Sequence, residues 1–343
     1  MTEPRVSVVI PAFDAARWIG RTVASVRAQT LRDIEIIVVD DGSRDDLDGA
    51  LEPHALDPRL RIVRQENRGL AGARNRGVRE ARAALVAPLD ADDLWHPDFL
   101  AETVAALDAD PAAPFAFAYS FRMDAEDRLL PFRPVGEPLR HDFYSQVWLN
   151  TVGSGSAGVY RREEMIAAGL YDEEMGRRGE HGAEDWKLLL RMARGGDPVL
   201  VPRHLVGYRL LMDSMSMKNP RRQLNAILAV LRELREEMPD VEARHFRDGR
   251  TMMTAWLLPV FVRRGQLHHF VWESLMAYGG NPLWFRNRLL RRSHGYRILA
   301  SMGFFVRLLN PKRRPYTPLA EAVFDGGRPF SYLASAGEPS RPV

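Results

Sequence analysis

Cysteine is missing from this chain. That gap alone excludes a disulfide scaffold, a thiolate zinc site, an iron–sulfur cluster and a cysteine nucleophile. Lysine is nearly missing too: Lys187, Lys218 and Lys312 are the only three among 48 basic residues. Base carried by arginine reflects either the codon bias of a GC-rich genome or recognition of phosphate by planar guanidinium groups. Long apolar runs are lacking. The best candidates, 255–262 and 298–306, fall far short of the ~20 residues a membrane-spanning helix needs. The first residues run straight into a strand-like segment with no charged leader or cleavage site. The expectation is a cytoplasmic protein, with peripheral contact at the inner face of the cytoplasmic membrane left open. Neither a Gly-x-x-x-x-Gly-Lys-Ser/Thr loop nor a Gly-x-Gly-x-x-Gly turn after the first strand is present, so the common phosphate-binding loops lose their support.

What is present belongs to a folded protein. The 343 residues are 45% hydrophobic and 27% charged, with net charge +3, enough for one large or two modest domains. Residues 5–11 form a β-branched run that is apolar nearly throughout, as a strand buried on both faces would be. Asp14 stands where it can cap the next helix. Further strands are expected at 34–39, 61–63, 84–89 and 115–121, with helices at 69–82 and from Pro97 to about 107. This alternation argues for a parallel sheet covered on both faces. In such sheets ligands lie beyond the carboxyl ends of the strands. Two acidic clusters stand at those ends: Asp40-Asp41-Gly42-Ser43 and Asp90-Ala91-Asp92-Asp93. Asp-x-Asp suits a hard divalent cation held through oxygen, shared with substrate phosphates. Alone, that spacing also fits a solvated loop or a helix cap, and Asp-Gly is a common turn. After a looser stretch, small residues fill 153–158, a helix begins at Glu184-Asp185-Trp186, and strands are expected at 198–202 and 205–211.

The motifs become specific in combination. Ser7-Val8-Val9-Ile10-Pro11-Ala12-Phe13, then Val38-Val39-Asp40-Asp41-Gly42-Ser43, then Asn67-Arg68-Gly69-Leu70-Ala71-Gly72-Ala73-Arg74-Asn75, then Leu89-Asp90-Ala91-Asp92-Asp93-Leu94 occur in order. Together with Glu184-Asp185-Trp186 they closely resemble the family 2 glycosyltransferases over roughly residues 5–218. The resemblance implies an α/β fold of the GT-A type: a Rossmann-like, mostly parallel sheet with helices on both faces, followed by a helical C-terminal region. It implies a metal-dependent inverting transfer of a sugar from a nucleotide donor, most simply a UDP-sugar, to a glycan or lipid-linked acceptor in bacterial cell-envelope polysaccharide synthesis. Pro11, Ala12 and Phe13 would lie beside the base, with Asp41 or Asp40 accepting a base N–H and Arg74 near the nucleotide. Asp90 and Ala91 would line the ribose or sugar. Asp92, with Asp90, would hold Mn2+ or Mg2+, and Asp93 would support the loop. Asp185 would be the catalytic base, assisted by Glu184. Arg209 and the stretch 214–218 stand where the family often closes a loop over the donor, and 153–158 would allow donor or acceptor to approach closely.

The implied organisation is a catalytic domain over 1–218, with a nucleotide-sugar half at 1–123 and an acceptor half at 124–218. A helical basic region follows over 219–324, then a tail at 325–343. Between Ser274 and Ala320 there is no acid, and 284–314 carries nine Arg and Lys residues interleaved with aromatics. Such a stretch suits peripheral contact with an anionic membrane or packing on the catalytic domain; nucleic acid is not expected. His268-His269 point about 100° apart on a helix and lack a third ligand nearby, which favours packing over metal. Two other functions stay open on residues alone: a sugar nucleotidyltransferase, and a non-catalytic, membrane-associated sugar-nucleotide binder.

Overall fold

The computed structural model describes residues 3–130, 141–211 and 219–279. The stretch 214–218, the basic span 284–314 and the tail 325–343 lie outside the described residues. The chain begins with β1 (Val6–Ala12), α1 (Ala16–Arg27), β2 (Ile34–Asp40), the short α2 (Leu47–Leu51), β3 (Leu60–Arg64), α3 (Gly69–Glu80) and β4 (Leu85–Pro88). Strands β3, β2, β1 and β4 are neighbours in that order and all pair in parallel. Every residue of β1 is buried, as the continuous apolar run requires of a strand sandwiched between helices. Helix α3 lies almost on the sheet: a methyl at Gly77 would come within 2.1 Å of a Val9 methyl. Glycine there sets the depth of the helix that carries Arg74 and Asn75.

The sheet then changes character. After β5 (Leu94–Trp95), α4 (Phe99–Ala109) and β6 (Phe115–Met123) come α5 (Phe143–Trp148), β7 (Gly158–Arg161), α6 (Arg162–Ala167), α7 (Glu173–Arg177), α8 (Glu184–Ala193) and β8 (Val199–Arg209). The full order is β3-β2-β1-β4-β7-β6-β8-β5. Strand β7 is antiparallel to both β4 and β6, and β5 is antiparallel to β8. The expected Rossmann-like sheet with helices on both sides is therefore present, and its second half is mixed. The two strands expected at 198–202 and 205–211 are one long β8. Its register against β6 jumps at Ala118/Tyr119 and Tyr119/Ser120, opposite the Pro202 region. Proline has no N–H to give the ladder, so the pairing bulges rather than ends. Two other local readings change. Helix α4 begins at Phe99, and Pro97 stays outside it. Asp14 does not cap α1: it sits at φ +49° and binds Arg44, while Asp45 accepts the Ala16 N–H at 2.7 Å.

Three helices close the described chain: α9 (Pro220–Glu237), α10 (Ala243–Arg263) and α11 (Leu267–Gly279). In the described chain β8 ends at Arg209 and α9 starts at Pro220, and packing joins the sheet part to the helices that follow. One hydrophobic cluster includes Trp186 and Leu189 of α8 with Leu224, Leu231 and Phe261. A ladder of ion pairs binds α8 to α9: Lys187 to Glu233, Arg191 to Glu237 at 2.6 Å, and Arg194 to Asp240 just beyond the helix. Lys187 is buried and also holds Asp172 at 2.7 Å. Among the described residues no helix is long and apolar enough to cross a membrane.

Candidate functional site

The carboxyl ends of β1, β2 and β4 and the first turn of α8 bring the acidic clusters together. At the end of β1, Pro11 and Ala12 are buried and Phe13 stands out, 45% exposed, with the Arg44 guanidinium 5.3 Å from its ring centre. An exposed aromatic at a strand end offers a face for a planar base.

The two aspartates after β2 have different surroundings. Asp41 is buried, and its carboxylate accepts from Gln65 Nε2 at 2.7 Å and from the Arg68 and Gly69 N–H groups at 2.8 Å. It therefore organises the entry to α3, where Gly69 sits at φ +78°. Three of the roughly four acceptor sites of the Asp41 carboxylate are used within the chain, which leaves one for a further donor. Among the described residues Asp40 accepts the Ser43 N–H at 2.9 Å and lies 3.5 Å from Arg64, so it has more acceptor sites open than Asp41.

The loop after β4 is held from within. Ser156 Oγ accepts the Asp90 N–H at 3.0 Å and donates to Asp93 at 2.6 Å. Thr22 Oγ donates to the carbonyls of Ala91 and Asp93. Asp93 is 1% exposed and also accepts the Arg209 N–H at 2.8 Å. Burial, then the charges of Asp92 and Asp90, push its carboxyl well above the ordinary range. Asp92 is half-buried, and its carboxyl is pushed up to about 6 by desolvation and by Asp90.

Arg209 does not face a donor. It is 2% exposed, stacks 4.4 Å over Trp18, and gives its Nε–H to the Asp92 carbonyl at 2.6 Å. It also binds the Asp124 carbonyl and the Asp127 carboxylate. These contacts fix the main chain of the aspartate loop.

On the opposite side, Gly182 at φ +84° turns the chain into α8. Glu184 accepts the Gly182 N–H at 3.0 Å and Arg74 Nη1 at 3.0 Å. Asp185 is half-buried and accepts the Trp186 N–H at 2.7 Å. Burial, then the Glu184 charge, push its carboxyl up to about 6 against the opposing pull of Arg74. Asp185 is thus a carboxylate poised near neutral pH, suited to general-base work.

Arg74, expected near the nucleotide, is 2% exposed and binds Asp90 at 2.6 Å as well as Glu184. Sequence reasoning also missed Ser156, Tyr171 and the second use of Asn75. Asn75 clamps Tyr171 by donating to its carbonyl at 2.8 Å and accepting its N–H at 3.0 Å. The Tyr171 ring lies 5.3 Å from the Arg74 guanidinium. The signal was present in the Arg74-Asn75 pair, whereas Ser156 was hidden in a run that reads as flexible. That run does allow a close approach, but the group that approaches is internal: a methyl on Gly155 would lie 2.7 Å from Arg74 Nη2.

Among the described residues no group of three or more His, Asp or Glu side chains forms a metal cage. The His268 and His269 rings lie 4.1 Å apart and tilted at 42°, and His269 meets Arg221.

Comparison with known proteins gives a consistent result. Residues 7–164 match the family model described as Glycosyl transferase family 2. Over 96 residues the chain is 42% identical to chondroitin synthase of Escherichia coli, covering 28% of this chain and 14% of that protein. Over 250 residues it is 24% identical to the glycosyltransferase GlyA of Streptococcus pneumoniae, covering 68% of this chain and 34% of that one. The chain thus spans about a third or less of the length of these relatives. The structure superposes on S. aureus TarS 1-349 in complex with UDP-GlcNAc at TM-score 0.58, with 15% identity over 98% of each chain. It superposes on mannosyltransferase PcManGT from Pyrobaculum calidifontis in complex with GDP-Man and Mn2+ at TM-score 0.55, with 19% identity over 91% of this chain and 89% of that one. At these identities the likeness is one of fold, the GT-A fold.

Proposed function

From the match of residues 7–164 to the family model described as Glycosyl transferase family 2, we propose that this chain transfers a sugar from a nucleotide-sugar, most simply a UDP-sugar, to an acceptor hydroxyl with inversion. The observation that carries the reading is the facing pair of carboxylate groups. Asp90 and Asp92 stand at the end of β4, Asp185 stands at the start of α8, and Arg74 reaches both sides. Phe13 supplies an apolar face for the base and Asp40 an acceptor for its N–H. TarS and PcManGT, which share the fold, were solved with UDP-GlcNAc and with GDP-Man and Mn2+.

Asp92 and Asp90 fit a divalent cation, Mn2+ or Mg2+. Their donor set is all oxygen, and Asp92 is raised by desolvation and by its like-charged neighbour, a penalty that a cation relieves. The bound cation would offset the charge of a departing nucleoside diphosphate as a Lewis acid. With so few ligands from the chain, diphosphate oxygens and water would complete the coordination.

Asp185 takes the proton from the acceptor hydroxyl onto its carboxylate. The acceptor oxygen bonds to the anomeric carbon from the face opposite the nucleotide, and the bond from that carbon to the diphosphate oxygen breaks. The products are a glycoside of inverted configuration and a nucleoside diphosphate. Glu184, already bound by Arg74 and Gly182, acts by holding this turn.

The acceptor is a glycan or a lipid-linked sugar in envelope polysaccharide synthesis. The acid-free basic span 284–314 would meet an anionic membrane from the cytoplasmic side. The test is a screen of UDP-, GDP- and dTDP-sugars for Mn2+-dependent binding and hydrolysis. Release of a nucleoside diphosphate is expected. Release of pyrophosphate, or no metal-dependent nucleotide binding, overturns the reading.

A further inference from the structure

Helix α3 joins the two halves of the molecule at three adjacent levels. Arg68 binds Glu173 at 2.7 Å, Asn75 clamps the backbone of Tyr171, and Arg74 spans from Asp90 to Glu184. The Arg74 side chain is 2% exposed, both of its terminal nitrogens are engaged by carboxylates, and Tyr171 covers the guanidinium. Its Nε–H is buried without a hydrogen-bond partner. A surface ligand of a nucleotide would have a solvent-exposed nitrogen and an open face, and this side chain has neither. Leaving one buried N–H unpaired costs stability, and such local sacrifices gather where function demands a geometry. Gly155 leaves room for the guanidinium, since a methyl there would lie 2.7 Å from Nη2.

Resting on the function proposed above, we infer that Arg74 is a positioning residue, not a nucleotide ligand. It ties the donor-side Asp90 to the acceptor-side Glu184 and so fixes the gap across which the sugar is passed. Asp90 and Glu184 lie 94 positions apart in the chain and belong to different halves of the fold. Without a rigid link, the base and the donor loop would drift independently. Misplacement by about 1 Å can cost on the order of 100-fold in rate.

Removing Arg74 outright would strand two partly buried carboxylates and endanger folding, so the test perturbs its seat. Gly155→Ala adds one methyl against Nη2 and changes no charge. The readouts are Mn2+-dependent UDP binding by calorimetry, and kcat and KM for whichever UDP-, GDP- or dTDP-sugar the wild type hydrolyses fastest. The expected result is a fall in kcat of about 10-fold or more, with the UDP Kd unchanged within about 2-fold. A weakened UDP Kd at unchanged kcat would make Arg74 a nucleotide ligand and overturn the inference; so would wild-type values for both.

A second measurement does not depend on Gly155→Ala folding. Asp90→Asn, Glu184→Gln and their combination form a cycle on kcat at saturating Mn2+. Coupling of about 3-fold or more is expected, because both carboxylates act through one guanidinium. Additive losses overturn the link. A wild type that neither binds nor hydrolyses any of these donors defeats the proposed function itself. An active wild type with additive variants defeats only the role of Arg74.

Discussion

Replacing Asp185 by Asn is expected to make the protein more stable and inactive. In the folded chain the Asp185 carboxyl is raised from an ordinary 3.8 to about 6, chiefly by burial and next by Glu184. The native state therefore binds this proton more tightly than the unfolded chain does. Below pH 3.8 the residue is neutral in both states and carries no penalty. Between about 3.8 and 6 the unfolded chain ionises while the native one keeps its proton, so stability is lost across that window and the full cost is present above 6. A gap of about two pH units corresponds to about 3 kcal/mol. Because Asp185 is only half-buried, solvent screening lowers that to about 1–2 kcal/mol. Asparagine is never charged, and its side-chain oxygen still accepts the Trp186 N–H. Asp185→Asn should therefore melt a few degrees higher than the wild type at pH 7–8, at about 2–4 °C per kcal/mol, and match it near pH 4. In the wild type, kcat at saturating donor and metal should fall about tenfold per pH unit below about 6, as the base takes up a proton. Calorimetric melting across pH 4–8 and a pH–rate profile measure both effects. An Asp185→Asn protein that keeps full turnover, or that melts below the wild type at pH 8, would refute the reasoning.

Asp92→Asn should abolish Mn2+-dependent UDP binding in calorimetry while leaving the fold intact, since its carboxylate is raised rather than engaged in an ion pair. Phe13→Ala should weaken UDP binding about tenfold, in line with about 1–3 kcal/mol for base stacking, and leave the melting temperature unchanged because the ring is exposed. Asp93→Ala should lower stability by about 2 kcal/mol or more, because Ser156 Oγ and the Arg209 N–H lose a shared buried acceptor. Lys187→Met should cost about 3 kcal/mol in denaturant unfolding by leaving Asp172 and Glu233 without their buried cation; an unchanged midpoint would mean that the α8–α9 contact contributes little.

The sequence by itself determined the sheet and the end of it that matters. Runs such as Val6–Ala12 and Ile34–Asp40 are apolar on both faces, which leaves a buried parallel strand as their only economical fate. The acidic clusters directly after such runs are then forced to the carboxyl edge. It also determined that Glu184 and Asp185 open a helix, since a charge pair ahead of an apolar stripe favours a helix N-terminus. Tertiary structure alone decided how those acids divide their work. Asp41 and Asp40 are adjacent and chemically identical, yet one closes the entry to α3 and the other stays open. Of Asp92 and Asp93, it is the Asp93 carboxylate that accepts from Ser156 Oγ and from the Arg209 N–H, while Asp92 meets Arg209 through its main-chain carbonyl. Arg74 stands in the sequence as a residue near the nucleotide and Arg209 as one in a donor-side loop, and each is buried as a tie between distant segments. Strand and helix propensity act over a few neighbours, so they are written locally in the chain. Hydrogen-bond partners and desolvation depend on residues brought together from as far as 117 positions away, and these set whether a carboxylate binds, catalyses or merely braces.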